Sequence, residues 1–395
     1  MAAFCVFMEK LMRILVLGLL TSLLAACVTP QKPTTPPKPE TVTAVYKAQD
    51  WQALPNWPGE QLTRSWPAWL NSCKRLANRP VWKDICAEAV MLGSQDDASI
   101  KAFFERHFSP WQITTNAGSD TGLVTGYYEP LLKGSLNPKE GSAPFYGVPD
   151  NLLVVDLAKQ YPDLKGKRLR GRIDGVRTVI PYWTRQEIAE GKIANNAKVL
   201  AWADDAVEAF FMEVQGSGRI QLEDGTIVRL GYADQNGHPY KSIGKWLIDK
   251  GEMTADQASM QSIQAWAKAN PQRLQEMLNA NPSVVFFKYL SGNDGPIGAL
   301  NVPLTDEASG AVDPKFVPLG SPIYLSTTRP NDSQPMTRLI HAQDTGGAIA
   351  GPIRVDYFWG FGSAAGQLAG KMKQKGQVWL LWPKNLPLPE QAVNK

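Results

Sequence analysis

Histidine and cysteine are the scarce residues of this 395-residue chain: three of the former, His107, His238 and His341, and four of the latter. The histidines are scattered, and neither a Cys-x-x-Cys pair nor a His-Glu-x-x-His run occurs. The usual zinc spacings are therefore absent, as is a Cys/His pair for nucleophilic catalysis. No phosphate-binding loop or dinucleotide-binding glycine fingerprint is present either. With these signatures missing, neither a metal nor a cofactor is expected. A net charge of +4, spread along the chain, gives no footing for nucleic acid. The apolar run from Ile14 to Ala26 is short for a membrane span.

Glycine (33), proline (30) and tryptophan (13) are what the chain has in quantity. The first two favour turns and short strands, hence a mainly β fold. Tryptophan serves either a core or the stacking of sugar rings. At the N-terminus, Lys10 and Arg13 precede the apolar run, which ends in Leu24-Ala25-Ala26-Cys27. That is the pattern of a lipoprotein signal peptide over residues 1–26, with Cys27 lipidated after cleavage. An ordinary signal peptide with an incidental cysteine is the other reading. Val28 after the cysteine is compatible with sorting to the outer membrane, and initiation at Met8 or Met12 would leave Cys5 outside the product. Residues 27–45, rich in Pro, Thr and Lys, read as an extended tether. Export places Cys73 and Cys86 in an oxidising compartment, where they form a disulfide or stay as two buried thiols.

Helical spacing marks Trp66 to Leu76 and Lys83 to Leu92, and Asp97 to Phe108 follows a capping aspartate. The pattern turns to strand at Leu123. Thr184 caps a short helix, and Lys198 to Ala203 and Ala209 to Val214 read as strands. Gly216 and Gly218, in Gln215-Gly216-Ser217-Gly218, either admit backbone close to a ligand or form a bulge. Asp224-Gly225 is a hairpin turn. Helices are expected before Gly251, from Thr254 to Lys268 and from Pro271 to Asn279. Short strands follow at Val284 to Phe287, Val302 to Leu304, Gly310 to Asp313 and Ile323 to Ser326, with Gly376 to Trp382 last.

Two aspartates sit on short apolar segments between Leu339 and Gly362. Asp344 ends one strand ahead of the turn Thr345-Gly346-Gly347. Asp356 lies in a second, Ile353 to Phe358, with Arg354 and Phe358 on its face and Ile353, Val355 and Tyr357 on the other. A carboxylate so placed is costly to bury unless paired or protonated. Asp356 is thus a candidate acid, although a salt bridge to Arg354 or a turn cap would also explain it. A third aspartate, Asp313, is followed by Pro314 and reads as a turn residue. Trp359, beside Gly360, is a candidate for stacking.

Taken in order, several motifs resemble one family. They are Gly126-Tyr127-Tyr128-Glu129-Pro130, Val214-Gln215-Gly216-Ser217-Gly218, Tyr240-Lys241-Ser242-Ile243-Gly244-Lys245 and Asn281-Pro282-Ser283 with Phe286-Phe287-Lys288. The C-terminal part adds Val312-Asp313-Pro314, Gln343-Asp344-Thr345-Gly346-Gly347 and Val355-Asp356. The set resembles the membrane-bound lytic murein transglycosylase A family, whose chain ends in a three-aspartate domain. The resemblance covers roughly residues 120–385 in unbroken order. It implies a double-psi β-barrel domain with N-terminal helices, made of residues 46–129 and 291–395. A second, β-rich domain over residues 130–290 would be inserted between them, with a glycan-binding cleft between the two.

The implied reaction is nonhydrolytic cleavage of the β-1,4 bond between N-acetylmuramic acid and N-acetylglucosamine in peptidoglycan, leaving a 1,6-anhydro ring. Asp356 falls on the family's catalytic acid/base. One carboxyl can serve both steps, because the substrate's own C6 hydroxyl is the nucleophile and proximity replaces a protein base. Asp344 is assigned to orienting Asp356 or substrate, or to bonding the glycine turn. Arg354 would depress the acid's pKa unless it bends away to solvent or substrate. Thr125, Tyr127, Gln215, Ser217, Tyr240 and Lys241 are the cleft-lining candidates, with core packing or turn bonding as the alternative for each. Glycan strands, the membrane through Cys27, and cell-wall synthases or hydrolases are candidate partners. Two other classes compete. Asp344-Thr345-Gly346 is the triplet of aspartic proteases, which need two copies and here would require a homodimer. A noncatalytic murein-binding lipoprotein is the other.

Overall fold

The computed structural model describes residues 42–389 apart from Ser94, Lys165 and Asn385. The expected signal peptide, Cys27 and the tether up to residue 41 lie outside the described residues. Ala44 and Val45, counted in the tether, open a strand instead. No helix among the described residues is long and apolar enough to cross a membrane.

The chain begins with β1 (Ala44–Ala48), α1 (Leu62–Leu76), α2 (Pro80–Leu92), α3 (Asp97–His107), β2 (Phe108–Thr115) and β3 (Gly122–Glu129). Next come β4 (Leu131–Ser135), β5 (Ala143–Tyr146), β6 (Leu153–Val154), β7 (Arg170–Asp174), β8 (Thr178–Pro181), α4 (Arg185–Ala189), β9 (Val199–Ala203), α5 (Ala206–Gln215), β10 (Ser217–Gln221) and β11 (Ile227–Gln235). α6 (Ile243–Asp249), α7 (Met260–Ala269), α8 (Leu274–Asn279) and β12 (Val285–Tyr289) follow. The last stretch holds β13 (Ser309–Val312), β14 (Pro322–Thr328), β15 (Pro335–Asp344), β16 (Val355–Phe361), α9 (Gly362–Lys371) and β17 (Lys373–Pro383).

One sheet has the order β1-β2-β17-β14-β15-β13-β16-β3. β17 also pairs with β3 through Lys373 to Gly376, so the circuit β3-β16-β13-β15-β14-β17 returns to its start. Alternation decides its faces. Val124, Ile340, Tyr357, Trp359 and Leu380 join one buried core, which α1 to α3 extend with Trp66, Trp69, Phe103 and Phe104. Cys73 and Cys86 are joined in a disulfide that ties α1 to α2. The strands β4 to β12 form two further sheets, β12-β11-β10-β4-β9-β5 and β6-β7-β8, and all of them fall between β3 and β13 in the chain.

Several segments differ from expectation for local reasons. Residues 209–214, expected as a strand, lie in α5. Asp205 caps that helix by accepting from Val207 and Glu208, and Gly216 ends it at a φ of 79°. A short apolar run reads equally as strand or buried helix until its caps are weighed. Gly216 is thus a helix stop, and a Cβ on Gly218 would meet Met212 Sδ at 2.6 Å. Neither glycine requires a ligand to explain it. Val302 to Leu304 is not a strand; Pro303 makes only an isolated bridge with Ile297. Trp359, a stacking candidate, is 5% exposed in the main core, its ring 4.8 Å from that of Tyr357.

The carboxylate of Glu129, fully buried where β3 ends, fastens the β4–β12 sheets to the main sheet. Arg219 of β10 donates to it from Nε and Nη2 at 2.9 and 2.8 Å. Arg229 of β11 stands 3.9 Å away and donates to the carbonyls of Ser291, Gly292, Asp294 and Gly295, on the return path to β13. Removing one partner of such a group strands buried charge. Glu129→Ala should therefore lower the unfolding free energy by about 3–5 kcal/mol. Urea denaturation measures it, and a loss under about 1 kcal/mol would show that the ion group does not hold the sheets together.

Candidate active site

Strand register assembles the site. Ala311 on β13 lies opposite Asp344 on β15 and, on its other side, opposite Asp356 on β16. Asp356 in turn lies opposite Thr125 on β3, and Thr125 opposite Lys373 on β17. Residues directly opposite across a sheet share a face. Asp344, Ala311, Asp356, Thr125 and Lys373 thus form one row across five strands, on the face turned away from the main core. Ala311 is small enough to leave the two carboxyls facing each other over it.

A bulge makes the row possible. Between Gly310 and Ala311 the register skips Gln343, the extra residue on β15. Gln343 points inward. Its Nε2 donates to Ala68 O and Ser72 Oγ of α1 at 2.7 and 2.9 Å, and its Oε1 accepts from Ser309 Oγ at 2.5 Å. The next residue, Asp344, is thereby aimed at the row.

The two carboxyls are held differently. Both oxygens of Asp344 are occupied: Oδ1 accepts from the Ala299 N–H at 2.9 Å and Oδ2 from the Tyr127 hydroxyl at 3.2 Å. Asp356 Oδ1 accepts from Thr125 Oγ1 at 2.5 Å, and its other oxygen has no protein donor among the described residues. Burial pushes Asp344 up to about 6, against the pull of its donors and with a contribution from the Asp356 charge. Burial also raises Asp356, opposed by the Thr125 bond and by Arg354. Tyr127 is raised well above its ordinary range by burial and by the two aspartates, so it donates and does not ionise. The Arg354 guanidinium bends to the carbonyls of Val355 (2.6 Å) and Leu123 (3.4 Å) and makes no salt bridge with Asp356.

The other candidates lie apart from the row. Gln215 ends α5, and its Oε1 accepts from the Tyr128 N–H at 3.1 Å, bonding the insert to β3 beside Tyr127. Gln215 and Tyr240 line a cleft of about 450 Å³ together with Tyr128, Ser242, Lys245 and Lys373. Lys241 is exposed, and its backbone N–H donates to Asn281. Ser217 is buried opposite Gly231 in the β10–β11 ladder, a packing position. Asp313 takes the N–H groups of Lys315 and Gly351, a turn role. The Asp-Thr-Gly aspartate thus faces the aspartate of Val355-Asp356-Tyr357, not a second such triplet. Ala299, Ala311 and Gln343 were not candidates from sequence. Ala299 acts through its backbone N–H, which no residue type advertises. Gln343 adjoins Asp344, but nothing in its identity announces a bulge.

Residues 123–288 match the family described as the MltA specific insert domain, and residues 308–382 match the 3D domain. The membrane-bound lytic murein transglycosylase A of Escherichia coli K12 is 34% identical over 279 residues, 69% of this chain and 68% of that protein. A crystal structure of MltA from Neisseria gonorrhoeae is 42% identical and superposes with a TM-score of 0.79, over 92% of this chain and 100% of that one. A crystal structure of E. coli MltA with bound chitohexaose is 27% identical, with a TM-score of 0.64 over 86% of this chain and 94% of that one.

The raised carboxyl of Asp344 carries a stability consequence. The folded chain holds this proton up to about pH 6, whereas the unfolded chain releases it near the ordinary aspartate value of 3.8. Between those values the folded state binds more protons, so this group's contribution declines as pH rises through the window. Asp344→Asn removes the buried charge and should stabilise the protein by about 1–3 kcal/mol at pH 7. The gain should vanish below about pH 4. Denaturant midpoints at both pH values test this, and an equal effect at both would contradict the burial argument.

Proposed function

The chain belongs to the membrane-bound lytic murein transglycosylase A family, and from that premise we propose that it cleaves the β-1,4 bond between N-acetylmuramic acid and N-acetylglucosamine without water. Asp356 is the acid and then the base. Protonated on its open oxygen, it donates to the departing glycosidic oxygen. The muramoyl C6 hydroxyl closes on C1, and its proton passes to the Asp356 carboxylate. The enzyme regains its starting state, and the product carries a 1,6-anhydro ring.

The observation that carries this assignment is the unequal bonding of the two carboxyls. Asp344 has no lone oxygen to offer, and its donors, Ala299 N–H and Tyr127 O–H, favour its ionised form. Asp356 has one oxygen fixed by Thr125 and one open. The Asp356 charge is the smallest of the causes acting on Asp344, and burial is the largest for both. A sugar covering the half-buried row excludes water and so favours a proton on the open oxygen of Asp356. Asp344, Tyr127 and Thr125 then orient that acid. Glycan would run over the row and into the cleft at Gln215 and Tyr240, with Lys241 at its edge; Ser217 serves packing.

The same reading completes the architecture. The six-strand circuit is a double-psi β-barrel, built from residues 46–129 and 291–395, and residues 130–290 are the inserted domain. Cys27 carries a lipid that anchors the enzyme to the outer membrane, facing the periplasm, where glycan strands are its substrate and cell-wall synthases or hydrolases its neighbours.

Incubation with purified sacculi tests the reading. The unaltered protein should release soluble muropeptides with anhydro ends, which neither a protease nor a binding protein would do. Asp356→Asn should fold normally and release them at least about 10³-fold more slowly. Release near the unaltered rate would remove Asp356 from the chemistry.

A further inference from the structure

The face that bears Asp356 also carries cations that the reaction does not use. Arg354 lies two residues before Asp356 on the chain, and Leu123 two before Thr125. On β17, Lys373 lies opposite Thr125 and Lys375 opposite Leu123. Positions two apart on a strand share a face, so Lys373 and Lys375 border the end of the row on the side of Asp356, and Arg354, the residue before β16, reaches the same edge through its bond to the carbonyl of Leu123, which lies opposite Lys375. Lys373 and Lys375 are exposed, and Lys373 also lines the cleft. Among the described residues none of the three enters an ion pair; Arg354 donates to backbone carbonyls alone.

A polymer of N-acetylglucosamine is neutral and offers such cations no charge to pair with. The muramoyl sugar differs from N-acetylglucosamine by a lactyl ether on C3. That ether ends in a carboxylate when bare, or in a peptide with carboxylates of its own. The acid must meet the oxygen on the muramoyl C1, so this sugar sits over Asp356. Lys373 is two strand spacings away, about 10 Å, within reach of a substituent on the same ring.

We propose that Arg354, Lys373 and Lys375 form a rim that binds the carboxylate borne by the muramoyl unit, and thereby select that sugar over N-acetylglucosamine at the bond to be cleaved. The inference rests on the transglycosylase reading and names the recognition that reading lacks. A substrate carboxylate on Arg354 would also cancel the charge that opposes protonation of Asp356. Binding would thus prepare the acid.

The test uses binding of three disaccharides that lack a cleavable bond: N,N′-diacetylchitobiose, N-acetylglucosaminyl-N-acetylmuramic acid with its free lactyl carboxylate, and the same disaccharide bearing a tetrapeptide. Affinities are measured by NMR titration at low and high salt, for the unaltered protein and for Lys373→Gln/Lys375→Gln. Both substitutions fall on exposed positions, and an unchanged melting temperature checks the fold. At low salt an anionic probe should bind about threefold to tenfold more tightly than chitobiose. Salt should erase the advantage, and so should the double substitution, which should weaken the anionic probes more than it weakens chitobiose. An advantage seen only with the tetrapeptide assigns the anion to the peptide; one seen with both probes assigns it to the lactyl-linked position. Equal affinity for all three probes, or an advantage that survives the double substitution, overturns the rim. Failure of the unaltered protein to release anhydro products from sacculi would overturn the transglycosylase reading instead, and is read separately.

Discussion

The register between β15, β13, β16 and β3 is the constraint on which the site depends. A slip of one residue on β15, β16 or β3 would turn its aspartate or threonine to the opposite face. The bulge at Gln343 is the device that reconciles two demands on β15. Gln343 must point inward to satisfy Ala68, Ser72 and Ser309, and Asp344 must point outward over Ala311. Without the extra residue, the side chain facing Ala311 would be the glutamine. The helices α1 to α3 therefore matter to the site, because α1 supplies the partners that hold the bulge in place.

Much of this was legible in the chain. The alternation around Asp356 set Val355 and Tyr357 on one face and Asp356 on the other, since a two-residue period is written directly in residue type, and the structure makes the first of these the core face. The disulfide between Cys73 and Cys86 was one of the two readings that expected export left open. What stayed hidden depends on long-range geometry or on backbone atoms. The Ala299 N–H comes from a loop 45 residues before Asp344, and any residue but proline could supply it. β1 and β2 have few alternating apolar residues and are ordered by pairing with each other and with β17. α5 was misread because a short, mostly apolar run fits either periodicity, and only Asp205 and Gly216 decide it. Trp359 looked like a sugar platform because it adjoins glycine. Its parity along β16 puts it with Tyr357, facing the core.

Two carboxyls in one row divide the work through their bonding. Desolvation acts on both and favours a held proton. Donors then decide which oxygen can pass it on. Tyr127, pinned against Phe358 with ring centroids 5.1 Å apart, is kept neutral by its burial and so remains a donor to Asp344. Thr125 fixes Asp356 from one side only. The buried Glu129 with Arg219 and Arg229 lies four residues along the same strand and holds the β4–β12 sheets against it. The surfaces that would grip a glycan are thus set relative to the acid by β3 itself.

The central claim is that one aspartate moves a single proton out and back while the substrate supplies its own nucleophile. Digestion of sacculi in heavy-oxygen water, with mass spectrometry of the released muropeptides, tests it most directly. Expected are products lighter by one water than the hydrolysed forms, carrying no heavy oxygen at the muramoyl C1. Heavy oxygen at that carbon would mean that water attacks, and that Asp356 does not act alone.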